Sequence, residues 1–146
     1  MRWMAIDHGL ARIGIALSDP TGTLATPHEV WPNEAARTIA RLAEFVREES
    51  VEAIVIGLPR HADGRESETA GAVRTFAAAL GQAVGKSVPI ELRDEAMTSV
   101  EAERILIERG VKPEARKKRR DALAAALILE DLLAERRLRS ISDHSG

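Results

Sequence analysis

Near the start of the chain, Met4-Ala5-Ile6-Asp7-His8-Gly9-Leu10-Ala11-Arg12-Ile13-Gly14-Ile15-Ala16-Leu17-Ser18-Asp19 sets two short apolar runs around a tight polar turn. That pattern reads as a β-hairpin, so the sheet is expected to begin with antiparallel strands. Asp7 closes the first run. A carboxylate at the end of a buried strand is costly unless a cation or hydrogen-bond donors meet it, and a metal ion would do so. The competing reading is local, because Asp and Gly favour turns for backbone reasons alone.

The rest of the chain alternates. Trp3–Ile6 and Ile13–Leu17 form the hairpin strands, Pro20–Thr23 a turn and Ala25–Val30 a third strand. Asn33 is placed to cap a helix in which Ala35, Ile39, Leu42 and Val46 recur at helical spacing. Val51–Ile56 is a fourth strand ending in Gly57-Leu58-Pro59, and Asp63-Gly64 marks a turn in the loop after it. A helix follows over Ser67–Val84, stopped by Gly85, and strand Val88–Leu92 leads into Arg93-Asp94-Glu95. Thr98-Ser99-Val100-Glu101 has capping-box spacing, and its helix ends at Gly110. The last helix is expected from about Arg120 to Arg137, with 139–146 a flexible tail. A hairpin-first sheet extended by strand–helix–strand units is an α/β fold: five mixed strands with helices on both faces. At 146 residues with 45% hydrophobic content and no internal repeat or linker, the chain is expected to form one domain over 1–146.

Carboxylates follow the strands. Asp7 and Asp94-Glu95 each end a predicted strand, and ligand sites of open α/β sheets lie outside the carboxyl ends of their strands. Asp121 begins the last helix and shares a face with Ala124, Ala125, Ile128 and Leu132, where small alanines allow close approach to the sheet. Three convergent carboxylates suit Mg²⁺ or Mn²⁺, and two such ions would activate water for phosphodiester hydrolysis. Blander readings stand beside this one: Asp121 as an N-cap, Asp94 as a turn residue and Glu95 as a solvated charge. With no cysteine, disulfides, Cys-ligated zinc and a Cys nucleophile are excluded, which is compatible with a cytoplasmic protein. No apolar run is long enough to cross a bilayer.

The net charge of −2 announces no polyanion partner, but the charge is unevenly spread. Lys112, Arg116, Lys117, Lys118, Arg119 and Arg120 stand against Glu114 alone. Such a run is either a solvated connector or a grip on phosphates. Aromatic content of 3% argues against a base-stacking platform, and Trp3 and Trp31 are read as packing residues.

Four motifs in order carry a resemblance across nearly the whole chain. They are Asp7-His8-Gly9 with Arg12-Ile13-Gly14-Ile15-Ala16 and Ser18-Asp19; Ile56-Gly57-Leu58-Pro59 with Asp63-Gly64; Asp94-Glu95 with Thr98-Ser99 and Glu101-Ala102-Glu103; and Asp121-Ala122-Leu123-Ala124-Ala125. Together they resemble the YqgF, or RuvX-type, family of ribonuclease-H-like nucleases. The resemblance implies a metal-dependent endonuclease with Asp7, Glu95 and Asp121 as catalytic metal ligands and Asp94 as an alternative ligand. It implies a structured substrate, either four-way Holliday-junction DNA or the 5′ end of the 16S rRNA precursor. Two departures remove positive charge: Ala11 and Ala96 stand where the family usually has basic residues. Phosphate contact is therefore expected from Arg12, Arg93 and the Lys117, Lys118, Arg119, Arg120 run. Gly57-Leu58-Pro59 carries no fourth acid. Two other classes compete: a non-catalytic nucleic-acid or ribosome-associated module, and a nucleotide-binding phosphotransferase suggested by Asp7-x-Gly9 and Gly14. Cutting a junction symmetrically would favour a homodimer.

Overall fold

Residue size alternates along the central strands, and this organises the molecule. In the computed structural model, which describes residues 1–59, 68–95 and 98–145, strands β1 (Trp3–His8), β2 (Arg12–Ser18) and β4 (Ala53–Pro59) lie at the sheet centre. Their large side chains, Met4, Ile6, Ile13, Ile15, Ile54 and Ile56, enter one core. On the other face the alanines Ala5, Ala16 and Ala53, with Val55 and Trp3, enter a second core. The larger core is covered by α1 (Ala36–Glu48) and α2 (Ala70–Val84) through Leu42, Phe45, Val46, Val73, Phe76 and Leu80. The smaller is covered by α4 (Pro113–Ser145) through Ala125, Ala126, Ile128, Leu129, Leu132 and Leu133.

The sheet order is β3-β2-β1-β4-β5, with β3 over Ala25–Pro32 and β5 over Ile90–Glu95. β1–β2 and β2–β3 are antiparallel, while β1–β4 and β4–β5 are parallel. This is the expected five-stranded mixed sheet with helices on both faces, and α3 (Thr98–Glu108) packs against α4. Trp3 and Trp31 are buried as packing residues, Trp31 edge-on to Phe45 at 5.4 Å.

Several boundaries differ from expectation. β1 runs on to His8 because Asp7 and His8 pair with Gly14 and Ile13. β4 starts at Ala53 and reaches Pro59, and β5 continues to Glu95, because the parallel ladder persists to Pro59 opposite Glu95. The acids thus lie within strands, not after them. Asn33 does not cap α1. Its amide donates to the Gly9 carbonyl at 2.8 Å, its backbone N–H donates to the Ala11 carbonyl at 2.9 Å, and it is thereby spent on clamping the β1–β2 turn. Helix α1 instead begins after Ala35, which has a left-handed φ of 52° and no side-chain cap. Gly85, with φ 87°, ends α2 as expected.

The largest correction concerns α4. It starts at Pro113, not near Arg120, because proline is well suited to a first helical turn. Arg116 and Arg120 reach Glu103 of α3 at 2.9 and 3.8 Å, which relieves the like-charge run within the helix. Residues 139–146, expected as a tail, are helical through Ser145. The Asp63-Gly64 turn, the Ser67 helix start, Ala96 and the Thr98 side chain lie outside the described residues.

Ser18 and Asp19 turn out to be structural. The buried Ser18 hydroxyl accepts from the Trp3 N–H at 2.8 Å and donates to the Asp19 carbonyl at 2.8 Å. Asp19 accepts from the Leu24 N–H at 2.7 Å, the Thr21 hydroxyl and the Thr23 N–H at 2.8 Å, and these donors hold its carboxyl well below the usual range. Ser18→Ala is expected to lower unfolding free energy by about 1–3 kcal/mol, the range for orphaning a buried donor. Urea denaturation checks this, and an unchanged midpoint would show that water replaces the hydroxyl.

Candidate active site

Asp7 points to the α4 side of the sheet, as do its strand neighbours two residues away, Trp3 and Ala5. Opposite it in β2 is Gly14. A Cβ on Gly14 would fall on the main chain of Asp121 and Ala122, so only glycine lets α4 descend here. That descent brings Asp121 toward Asp7. The Asp121 side chain is 14% exposed; its Oδ2 accepts from Arg12 Nε at 3.0 Å, and its Oδ1 lies 3.8 Å from Arg120 Nε. The Asp7 carboxyl is pushed up to about 6, first by burial, then by the charge of Asp121, with Arg120 acting in the opposite sense. At Asp7, burial and the Asp121 charge together thus outweigh the opposing pull of Arg120.

Asp121 lies in the third turn of α4, where its own main chain is helical on both sides. It is therefore not an N-cap, and the local reading of this residue falls away.

Strand alternation separates Asp94 from Glu95. Arg93 reaches α4, where its guanidinium meets Glu135 at 2.7 Å, and Glu95, two residues on, shares that face. The Glu95 carboxylate lies over Gly57 of β4: a Cβ there would collide with Glu95 Oε2 and with Ile128 Cδ1 of α4. Asp94 is exposed on the opposite side. Glu95 is thus the acid on the Asp7–Asp121 face. Gly57 itself follows Ile56, the partner of Ile6 in β1, so a side-chain-free gap in the sheet lies beside Asp7.

The basic residues divide. Arg12 is on Asp121, and Arg120 stands between Asp121 and Glu103. Lys117 is exposed one turn before Asp121 on the same helix face. Lys118 and Arg119 instead line a cleft against β3. Arg93 is engaged by Glu135, whose own carboxyl it holds below the usual range, and ties β5 to α4. His8 faces away from the acids. Its ring packs on Phe76 at 4.6 Å, Asn33 Nδ2 lies 3.2 Å from its Nε2, and burial lowers its pKa.

Among the described residues no group of three or more His, Asp or Glu side chains is close enough to hold a metal ion. The fit to a cation rests on the pair. An oxygen-only set in which one carboxyl is raised by burial and by its neighbour suits a hard divalent ion, whose charge would favour both carboxylates. The size alternation that brings α4 down, with Gly14 and Gly57 in the small rows, is the signal that a reading by polarity alone misses.

A family model described as "RuvX: Holliday junction resolvase" matches residues 1–135. A protein of Lachnospira eligens named "Putative pre-16S rRNA nuclease" is 41% identical over 133 residues, covering 88% of this chain and 94% of its own length. One of the same name from Pelotomaculum thermopropionicum is 42% identical over 137 residues, covering 91% and 86%. Among solved structures, Thermus thermophilus RuvC in complex with a Holliday junction substrate superposes with a TM-score of 0.56 at 21% identity, over 94% of this chain and 96% of that one. The fowlpox virus Holliday junction resolvase gives 0.51 at 12% identity, over 92% and 99%. These two likenesses establish a shared ribonuclease-H-like architecture.

Proposed function

The chain belongs to the RuvX family and is a nuclease acting on nucleic acid, and from that premise we propose that Asp7, Asp121 and Glu95 form its hydrolytic centre around Mg²⁺ or Mn²⁺. The observation that carries this reading is the Asp7–Asp121 pair, in which burial and the neighbouring Asp121 charge raise the Asp7 carboxyl, a tension that a bound cation would relieve. When bound, the divalent ion supplies an activated water and offsets charge on the phosphate.

The protein's own residues would do the rest. Asp7 and Asp121 would hold the ion from β1 and α4, kept together because Gly14 of β2, the partner of Asp7, lets α4 seat on the hairpin. Glu95 enters from β5 on the same face. Arg12, with a side chain 47% exposed, lies at the rim of the pair and can turn from Asp121 to a phosphate oxygen once the acid is otherwise neutralised. Lys117 and Arg120 flank the approach.

Precursor 16S rRNA is the favoured substrate. Identity of 41% links the chain to a relative named for that RNA, against 21% for the junction-binding structure. Such a substrate places the enzyme in the cytoplasm, and no helix among the described residues is long and apolar enough to cross a membrane. End maturation needs one active site, whereas symmetric junction cutting would call for a two-fold dimer.

The test is cleavage of a labelled precursor 16S rRNA fragment and of a four-way DNA junction with Mg²⁺, with Mn²⁺ and in excess EDTA. The expected result is RNA cleavage with either ion, loss in EDTA and recovery on readdition. Full activity in EDTA would refute the metal centre; junction cleavage without RNA cleavage would reverse the substrate assignment.

A further inference from the structure

The basic run wraps α4, and at 100° per residue its members cannot all face one site. Arg120 and Lys117 lie on the Asp121 side. Lys118 and Arg119 open on the other flank, into a cleft of about 340 Å³ between β3, the end of α3 and α4. Arg109, remote in sequence, enters the same cleft from beyond the C-terminal end of α3.

The three cations are exposed, and none forms an ion pair with another described residue. Their neighbours differ in this respect: Arg104 is paired with Glu101 and Glu108, Arg116 with Glu103, and Arg93 with Glu135. The acid in the cleft, Glu29, is engaged by Trp31 Nε1 at 2.7 Å and by His28 at 3.6 Å. The floor is apolar, with Leu106, Val111, Ala122 and Leu123 beside Pro27. Three unmatched cations from two elements over an apolar floor make a site for a polyanion with apolar sugar surface between its charges.

We propose that this cleft is a second nucleic-acid backbone site, in which Arg109, Lys118 and Arg119 hold phosphates of the substrate away from the bond being cut. Helix α4 then separates two footprints on one ligand, the acid centre on one flank and the cleft on the other. The inference rests on the nuclease reading for the identity of the ligand, but binding tests it without cleavage. Such a site selects folded substrates, because a short strand seated at the acids does not reach around the helix.

The experiment is fluorescence anisotropy with a labelled precursor 16S rRNA fragment, titrated over a range of salt in EDTA. The protein carries Arg109→Gln, Lys118→Gln and Arg119→Gln together. Each lost phosphate contact flattens the log Kd–log salt slope by about 0.7 to 0.9, so the triple variant is expected to lose about 2 or more, with affinity at least tenfold weaker at low salt. The charge-retaining set Arg109→Lys, Lys118→Arg and Arg119→Lys is expected to restore the slope. Removing Arg47 and Lys86, exposed charges away from the cleft, is expected to leave it unaltered. A wild-type slope in the triple Gln variant would overturn the proposal, and so would an equal loss in the Arg47→Gln, Lys86→Gln control. A flattened slope in a protein that never cleaves would instead overturn the catalytic reading and leave the cleft standing.

Discussion

Asp7→Asn is expected to abolish phosphodiester hydrolysis while making the metal-free protein more stable at neutral pH. The two effects share a cause. Asp7 titrates near 6 in the folded protein against an ordinary value of 3.8, because burial and the neighbouring Asp121 carboxylate oppose its charge. A raised acid pKa means that the folded state holds the proton more tightly than the unfolded chain. Stability is therefore full below about pH 4, falls as pH rises through about 6, and stays low above it. At about 1.4 kcal/mol per pKa unit the loss is at most about 3 kcal/mol. Asparagine keeps the shape and carries no charge to strand, so in EDTA the variant should match wild type near pH 4 and exceed it at pH 7. Asp121→Asn is likewise expected to abolish cleavage and to bring Asp7 part of the way back toward its ordinary value, burial still holding it up. Urea midpoints across pH measure the first effect, and single-turnover cleavage the second. Wild-type cleavage by Asp7→Asn would remove this residue from the centre, and a pH-independent stability difference would show that the Asp7 carboxyl is not raised in the folded protein.

Gly14→Ala should be among the most damaging single methyl additions in the molecule, at 3 kcal/mol or more, at or beyond the upper end of the usual overpacking range of about 1–3 kcal/mol. The reason is contact, not backbone conformation. Gly14 is not among the glycines with positive φ, yet its missing Cβ would fall on the main chain of Asp121. A side chain can swing aside, whereas a helix backbone cannot. Nor can α4 retreat as a whole, because the same helix fills the smaller core through Ile128, Leu129, Leu132 and Leu133. Cleavage should fall with stability, since any displacement moves Asp121 off Asp7. Gly71→Ala is the counter-case: nothing lies within 4 Å of its Cβ, and the helix should gain roughly 0.5–1 kcal/mol. Equal effects at the two glycines would contradict the packing.

The hairpin, the succession of strand–helix–strand units and the buried stripe of α4 are legible because each leaves a period in the sequence. Asp7 and Asp121 came out of the same periods. Element ends were less legible, since a ladder extends wherever a partner strand offers another residue: Asp94 and Glu95 joined β5 because β4 had Leu58 and Pro59 to pair with them. The choice between Asp94 and Glu95 then followed from parity, which needs the true end of the strand. The start of α4 is hidden in the sequence because six cations in nine residues look like a solvated connector. Glu103, which meets two of them, is on another helix and leaves no local mark. Asn33 hides its role for a similar reason. A residue competent to cap a helix was claimed by the Gly9 carbonyl of a distant turn.

Synthesis runs from the hairpin toward α4, and the closure of α4 over the small-residue face has a consequence for the order of assembly. Domains fold largely as units while the chain is made. Strands β1, β2 and β4 can meet α1 and α2 early, which leaves the face of Ala5, Ala16 and Ala53 bare until residues beyond Pro113 have been added. Until then the nascent chain has an adhesive surface and only half of its acid pair. The two acids would therefore come together only as α4 docks, the final step in closing the second core.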